Sequence, residues 1–322
     1  MRETKSFDRE ADFDRELGQV TAMAEEEIRR HLPEEKGEQR QVIQAMNYSL
    51  TVGGKRLRPV LMWETFRMCG GSGTDIVGCF MAAIEMIHTY SLVHDDLPAM
   101  DNDRYRRGAE TTWYKYGDAM GILAGDGLLN YAFETALKAL EYCVGKQDMT
   151  DREKLLQTGR VQQALSVLAG KAGIHGMVGG QAVDVWQEEE TGGRSLTEEQ
   201  LLFIHEHKTA ALIQAAMMAG AILAGADREQ TGKIEKCALN IGIAFQIQDD
   251  ILDVVGDSRE LGKATGSDAM NHKRTYVDLK GLEQAKADVE ALSREAAAIL
   301  DDFPGEHEFL KNLILHLIYR RK

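Results

Sequence analysis

Pro33, Pro59, Pro98 and Pro304 are the only prolines in 322 residues. Proline is the residue that most firmly ends a helix. The stretches between these four are rich in Ala, Leu, Met and Glu, which are good helix formers. Strand-like alternation of β-branched residues is nearly absent, and apolar residues recur at helical spacing. The predicted fold class is therefore all-α. Helices are predicted over 13–31, 39–51, 59–69, 76–96, 116–142, 151–172, 231–254, 283–300 and 308–321, with 197–225 as one long helix or two in series. The first is amphipathic through Leu17, Val20, Met23 and Ile28. Ala119, Gly121, Ala124 and Gly125 should let the 116–142 helix pack closely. Residues 188–194 read as a polar loop. No tandem repeat and no dividing linker stands out, so a single domain over 1–322 is expected, with 1–40 as an N-terminal helical segment.

The net charge is -14, from 38 Lys+Arg against 52 Asp+Glu. A nucleic-acid or anionic-membrane surface needs clustered positive charge, so neither partner is expected. Cys69, Cys79, Cys143 and Cys237 have no paired spacing, which fits a reduced, cytoplasmic setting. The N-terminus is charged from the start and shows no signal-peptide core. The longest apolar run, 210–226, falls short of the ~20 residues of a membrane span.

Two acidic clusters stand out. Asp95-Asp96-Leu-Pro-Ala-Met-Asp101 closes one apolar helical run, and Asp249-Asp250-Ile-Leu-Asp253 closes another. Two carboxylates ~4 Å apart at an effective dielectric near 20 repel by roughly 4 kcal/mol. Such clusters suit a hard cation such as Mg²⁺, and an acidic solvated loop is the plainer alternative. A spacing of six puts Asp95 and Asp101 on different helix faces, and Pro98 disfavours continuing the helix. Asp95 and Asp96 should thus sit on the last turn, with Asp101 folding back. Asp249 and Asp253, four apart, share one face.

Basic residues accompany the clusters. Lys55 and Arg58 lie beside Gly53 and Gly54, where a helix start can hold a phosphate or simply form a solvated turn. Arg104, Arg106 and Arg107 follow the first cluster, as a metal-bridged phosphate site needs or as a surface salt-bridge patch. His88 lies two turns before Asp95 on nearly the same face. Lys208 and Thr209 interrupt an apolar run, and a lysine there is costly unless it faces a polar cavity. Walker-type and dinucleotide fingerprints are absent, so ATP and NAD chemistry have little support. Acidic clusters for cations, bases for phosphate oxygens and apolar faces above them fit a substrate with a diphosphate head and a hydrocarbon tail.

From about Gln41 onward the chain resembles the short-chain trans-prenyl diphosphate synthases, and among them the bacterial farnesyl diphosphate synthases. Asp95–Asp101 resembles the family's DDxxxxD motif and Asp249–Asp253 its DDxxD motif. Gly54-Lys-Arg-Leu-Arg-Pro59, Arg106-Arg-Gly108, Gly179-Gly-Gln181, His207-Lys-Thr209 and Lys273-Arg-Thr-Tyr276 follow in family order. The resemblance implies about a dozen helices around a central cavity, the isoprenoid synthase fold, as a homodimer. It implies about three Mg²⁺ ions held by Asp95, Asp96, Asp101, Asp249, Asp250 and Asp253. By matching positions, Lys55, Arg58, His88 and Arg107 are implied to hold isopentenyl diphosphate. Arg106, Lys208 and Lys263 are implied to hold the allylic diphosphate. Thr209 and Gln246 would face the developing cation, and Lys273 and the basic C-terminus would help close the site. Gln181 and Asp184 border the cavity. Bulky Tyr90 and small Ser91, just before Asp95, resemble those of a C15-producing enzyme, with geranylgeranyl diphosphate as the alternative product.

Arg104, Tyr105 and Trp113 depart from the usual pattern, where an acid, Leu and His are common. Two rival readings are a terpene cyclase, disfavoured by Lys55, Arg58 and Arg107, and a non-catalytic partner subunit, disfavoured by two intact aspartate motifs.

Overall fold

The computed structural model describes residues 2–145, 149–191, 196–255 and 274–319. These are almost wholly helical, as the helical period predicts. The chain falls into two units, Met1–Trp63 with Ser72–Leu165, and Glu64–Gly71 with Ser166–Lys322.

The first unit contains α1 (Arg2–Arg30), α2 (Arg40–Thr51), the start of α3 (Leu57–Met68), α4 (Asp75–Asp95), α5 (Thr112–Tyr116), α6 (Asp118–Gly145) and much of α7 (Asp151–Ala172). α4 is apolar on every side, and it packs against α1, α2 and α6. Phe80, Ile84 and Ile87 are wholly buried, each contributing about 1.5–3 kcal/mol by leaving water. Among the described residues α4 alone is long and apolar enough to cross a membrane, yet 78% of that window is buried. An all-round apolar helix with that burial is a core helix.

The close α4–α6 approach depends on glycine. A Cβ at Gly125 would run into the His94 ring, and one at Gly121 would lie 3.0 Å from Leu97 and 2.9 Å from Trp113. Two of the four small residues noted in the sequence thus do the expected work. α3 begins two residues before Pro59, which sits in the first turn where its missing N–H is harmless.

A hairpin that the sequence does not announce follows α4. β1 (Tyr105–Arg106) pairs antiparallel with β2 (Ala109–Glu110). Its two-residue loop, Arg107 (φ 54) and Gly108 (φ 79), has the positive dihedrals of a type I′ turn.

The second unit holds α8 (Met177–Thr191), α9 (Glu198–Ile204), a π-helical turn (His205–Ala210), α10 (Ala211–Ala224), α11 (Arg228–Val255), α12 (Tyr276–Lys280), α13 (Leu282–Leu300) and α14 (Glu308–Tyr319). The expected long helix over 197–225 is therefore α9, a π turn and α10 in series. The Thr197–Gln200 capping box starts it, and Gly225 in the left-handed region ends it. α11 packs against α10 and α13.

Candidate active site

In the first unit, the α2–α3 connection is wound tightly. Gly53 (φ 108), Gly54 (φ 154) and Arg56 (φ 49) all have positive φ. Arg56 is held in that conformation by three partners. Its Nη2 donates to the Leu50 carbonyl at 2.7 Å, its Nη1 meets Glu85 Oε1 at 3.0 Å, and its Nε lies 3.5 Å from Glu25. Arg107, from the hairpin turn, donates to the Gly53 carbonyl at 3.0 Å. A Cβ at Gly54 would sit 2.6 Å from the Arg107 guanidinium, so glycine is what lets that cation lie across the loop.

These elements enclose a cleft lined by Arg56, Glu85, His88, Asp96, Arg106 and Arg107. Burial drives the His88 pKa well below its ordinary value, and Arg58, Arg107, Arg106 and Arg56 push it further the same way. His88 is therefore a neutral hydrogen-bonding group amid four guanidiniums. Burial also lowers Arg58, to about 10, and lowers Arg107, with Glu85 partly offsetting both. Lys55 stands exposed on the same loop. Of the residues assigned to isopentenyl diphosphate, Arg58, His88 and Arg107 thus share one positive field. Arg56 and Glu85 belong to the same cluster and received no role from the sequence.

α4 ends at Asp95 with Asp96 as its C-cap, and the Asp101 amide donates to the Asp95 carbonyl at 2.8 Å. The predicted fold-back is thus a backbone hydrogen bond that closes the acidic loop. Asp96 is 4% exposed, and its Oδ1 accepts from Arg106 Nε at 2.6 Å. Burial raises the Asp96 pKa, and Arg106 opposes that rise. Asp96 and Arg106, expected on metal and allylic diphosphate respectively, are engaged with each other. Tyr90 is buried, its hydroxyl lacks a hydrogen-bond partner, and its pKa is pushed up to about 12 by burial and then by Asp95. Ser91 donates to the His88 carbonyl at 2.8 Å.

The departures from the usual pattern build the wall behind Arg106 and Arg107. Trp113 Nε1 and Thr111 Oγ1 both donate to the Asp103 carbonyl, at 2.8 and 2.7 Å. Tyr105 tilts against Tyr114, which Trp113 meets edge-on, and Arg104 covers the same Tyr114 ring.

In the second unit, the π turn sets the site. Such turns break the helical register and often carry functional side chains. Lys208 Nζ meets Asp184 Oδ2 of α8 at 2.6 Å, and Asp184 is buried. The polar environment that Lys208 requires is therefore Asp184, and Asp184 is a direct partner of a site residue. Thr209 Oγ1 donates to Gln246 Oε1 of α11 at 3.0 Å. Asp249 and Asp253 lie half-buried one turn apart on α11. Asp250 is buried and accepts from the Tyr276 amide at 2.8 Å, with His205 Nε2 at 4.0 Å. It anchors the start of α12. Gln181 is half-buried on α8. Lys263 and Lys273 lie outside the described residues.

Among the described residues no three acidic, His or Cys side chains converge as a ready metal cage. That is compatible with Mg²⁺, which binds through one or two carboxylates and completes its shell with water and phosphate. The donor chemistry fits as well, since both clusters offer hard carboxylate oxygens.

Comparison with known proteins agrees. The Polyprenyl synthetase family profile matches residues 39–306. A farnesyl diphosphate synthase of Geobacillus stearothermophilus is 46% identical over 75% of this chain and 76% of its own. That of Escherichia coli (strain K12) is 41% identical over 90% of each. A solved apo structure of an FPP/GFPP synthase from Zymomonas mobilis superposes with a TM-score of 0.78 at 31% identity, covering 96% of this chain and 99% of that one. With an isoprenoid synthase fold, two aspartate motifs and a cation-lined cleft, this chain belongs to the polyprenyl synthetase family of trans-prenyltransferases.

Proposed function

We propose that the chain condenses isopentenyl diphosphate with dimethylallyl and geranyl diphosphates to make farnesyl diphosphate. The observation that carries this is the cleft in which neutral His88 sits among Arg56, Arg58, Arg106 and Arg107. Three buried or half-buried guanidiniums, with Arg107 at the exposed rim, around one hydrogen-bonding group suit a polyanionic head and little else. A terpene cyclase has no use for a second diphosphate grip.

In this reading 1–322 acts as one catalytic domain, and both acidic clusters serve one substrate. Asp95, Asp101, Asp249 and Asp253 would hold Mg²⁺, about three ions, with Asp96 and Asp250, engaged by Arg106 and the Tyr276 amide, beside them. When bound, these ions would supply positive charge to the allylic diphosphate. Arg106 and Lys208 hold the same group, and they steady the charge that grows on its oxygens. The bonding pair leaves with diphosphate, and an allylic cation remains. The Thr209 and Gln246 oxygens face that cation with the negative ends of their dipoles. Lys55, Arg58, His88 and Arg107 fix the second diphosphate so that its double bond attacks. The new C–C bond forms, a proton leaves the adjacent carbon, and the departed diphosphate accepts it. No side-chain nucleophile is required. Lys263 is assigned to the same allylic diphosphate, and Lys273 to closing the site.

Tyr90 limits the depth available to the growing tail and Ser91 leaves some room. A soluble cytoplasmic homodimer is the expected form. Chromatography of products from isopentenyl plus dimethylallyl diphosphate with Mg²⁺ tests the reading. A C15 product is expected. A C20 product makes it a geranylgeranyl diphosphate synthase, and a hydrocarbon or no product overturns the proposal.

A further inference from the structure

The cation cleft holds acids as well as bases, and most of these acids have a local task. Asp96 is taken by Arg106. Glu110 is exposed at the rim, where its backbone carbonyl accepts from Tyr48. Glu85 is different. It is 3% exposed, and it lies three residues before His88, so the two neighbour each other on the helix. One oxygen, Oε1, meets Arg56 at 3.0 Å, while the other, Oε2, is buried with no hydrogen-bond partner.

A pair built only for stability would use both oxygens, because a buried unsatisfied acceptor bears the full cost of its lost water. A bidentate Arg–carboxylate fork is the usual solution. Here the second oxygen is left to the field of the cleft. That field is strong, since Glu85 is the foremost group opposing the lowered pKa of both Arg58 and Arg107. One carboxylate therefore acts on three arginines while bonding to one.

We infer that Glu85 is a resident counter-ion of the cleft, whose carboxylate neutralises the arginines until an incoming diphosphate takes over that role. This rests on the cleft being a diphosphate site, as proposed above. An uncompensated set of buried guanidiniums would destabilise the protein, and would also hold a polyanion too firmly to turn over. Glu85 opposes both effects. Binding is then an exchange of one weak internal anion for a stronger external one. Glu25 on α1 plays a lesser part in the same exchange, with its carboxylate 3.5 Å from Arg56 and its side chain 35% exposed.

The test is calorimetric titration with inorganic pyrophosphate in EDTA, which keeps divalent ions out of the acidic clusters. Wild type, Glu85→Gln and Glu25→Gln are compared, with thermal midpoints measured in each buffer. Glu85→Gln should bind pyrophosphate about tenfold tighter, because one opposing charge is gone. Its midpoint should fall without pyrophosphate and recover with it. Glu25→Gln should fold normally and bind about twofold tighter, as befits a more solvated charge. Loss of a merely structural pair would weaken binding, so equal or weaker binding by Glu85→Gln overturns the inference. If Glu85→Gln does not fold in either buffer, Glu25→Gln decides: tighter binding supports the inference and unchanged binding overturns it. A wild type that does not bind pyrophosphate at all overturns the reading of the cleft, and the counter-ion with it.

Discussion

Gly180→Ala separates the role of the π turn from that of simple packing. Gly180 is in α8, and its missing side chain is what admits the π turn. A Cβ there would lie 2.8 Å from both the carbonyl carbon and the Cβ of His207, and closer still to the Lys208 amide nitrogen. Carbon contacts settle near 3.5 Å, so α8 and the π turn must part by roughly 1 Å. The nearest atoms are mostly backbone and cannot rotate away, which puts the cost at the upper end of overpacking, about 3 kcal/mol. At roughly 2–4 °C per kcal/mol the thermal midpoint should drop by about 6–12 °C. The same shift carries Lys208 from Asp184 and Thr209 from Gln246. A displacement of that size at a catalytic group costs about 10²-fold in kcat. The assay is a thermal melt beside steady-state kinetics in both substrates. Gly232→Ala is the control, because nothing lies within 4 Å of its Cβ, and it should leave kcat unchanged and stability equal or slightly higher. A Gly180→Ala enzyme with the midpoint and kcat of wild type would refute the close approach and the placement of Lys208 and Thr209 that depends on it.

Asp95→Ala and Asp249→Ala should each lower kcat by at least ~10²-fold in Mg²⁺, and near wild-type turnover in either would remove it from the metal set. Tyr90→Ala should lengthen the product, read by chromatography, and an unchanged length would place the floor of the cavity elsewhere. Trp113→Phe keeps the ring but loses the N–H that holds the Asp103 carbonyl. It should raise KM for a diphosphate substrate about fivefold, the worth of one hydrogen bond, with partial rescue in Trp113→His. The His88 pKa lies below its unfolded value near 6.5, so the folded protein binds fewer protons there. Stability from this source is full above about pH 6.5 and declines as the pH falls below it. His88→Gln should flatten that decline by at most about 1.4 kcal/mol per pH unit, and equal slopes in chemical denaturation would show that His88 is not buried as described.

The sequence made the helices legible because their burial is periodic, and it made the Asp101 fold-back legible because Pro98 disfavours a continuing helix. It did not show the π turn. The change from α9 to 205–210 alters which carbonyl each amide meets and leaves the apolar period nearly intact. The hairpin at 105–110 was equally hidden, since two-residue strands have no alternation to read. Helix bounds also shifted: α1 begins at Arg2 rather than near 13, and 177–191 is helical despite its glycines, of which Gly179 and Gly180 serve close approach. Arg56 and Glu85 were missed for a different reason. Charge in a sequence reads as surface, and the one available signal was a lone acid inside the apolar helix α4, three residues before His88.

That missed pair shares a feature with the groups the sequence did find. Arg56 is held by Glu85, Arg106 by Asp96 and Lys208 by Asp184, each carboxylate being at most 5% exposed. A protein of net charge -14 repels polyanions at long range, so it needs local positive fields that survive burial. Bare cations away from water would lose their protons or destabilise the fold. A buried carboxylate behind each cation keeps it charged and in place. It also weakens the grip on substrate, which matters for an enzyme that must release diphosphate at every turnover. The same device explains why each acidic motif contains a residue that faces inward. Asp96 and Asp250 hold Arg106 and the Tyr276 amide, while the metal role proposed above falls to their neighbours Asp95 and Asp249. Replacing Asp96 by Asn should therefore raise KM through Arg106 more than it lowers kcat. The same change at Asp95 should do the reverse, and identical profiles for the two variants would refute this division of labour.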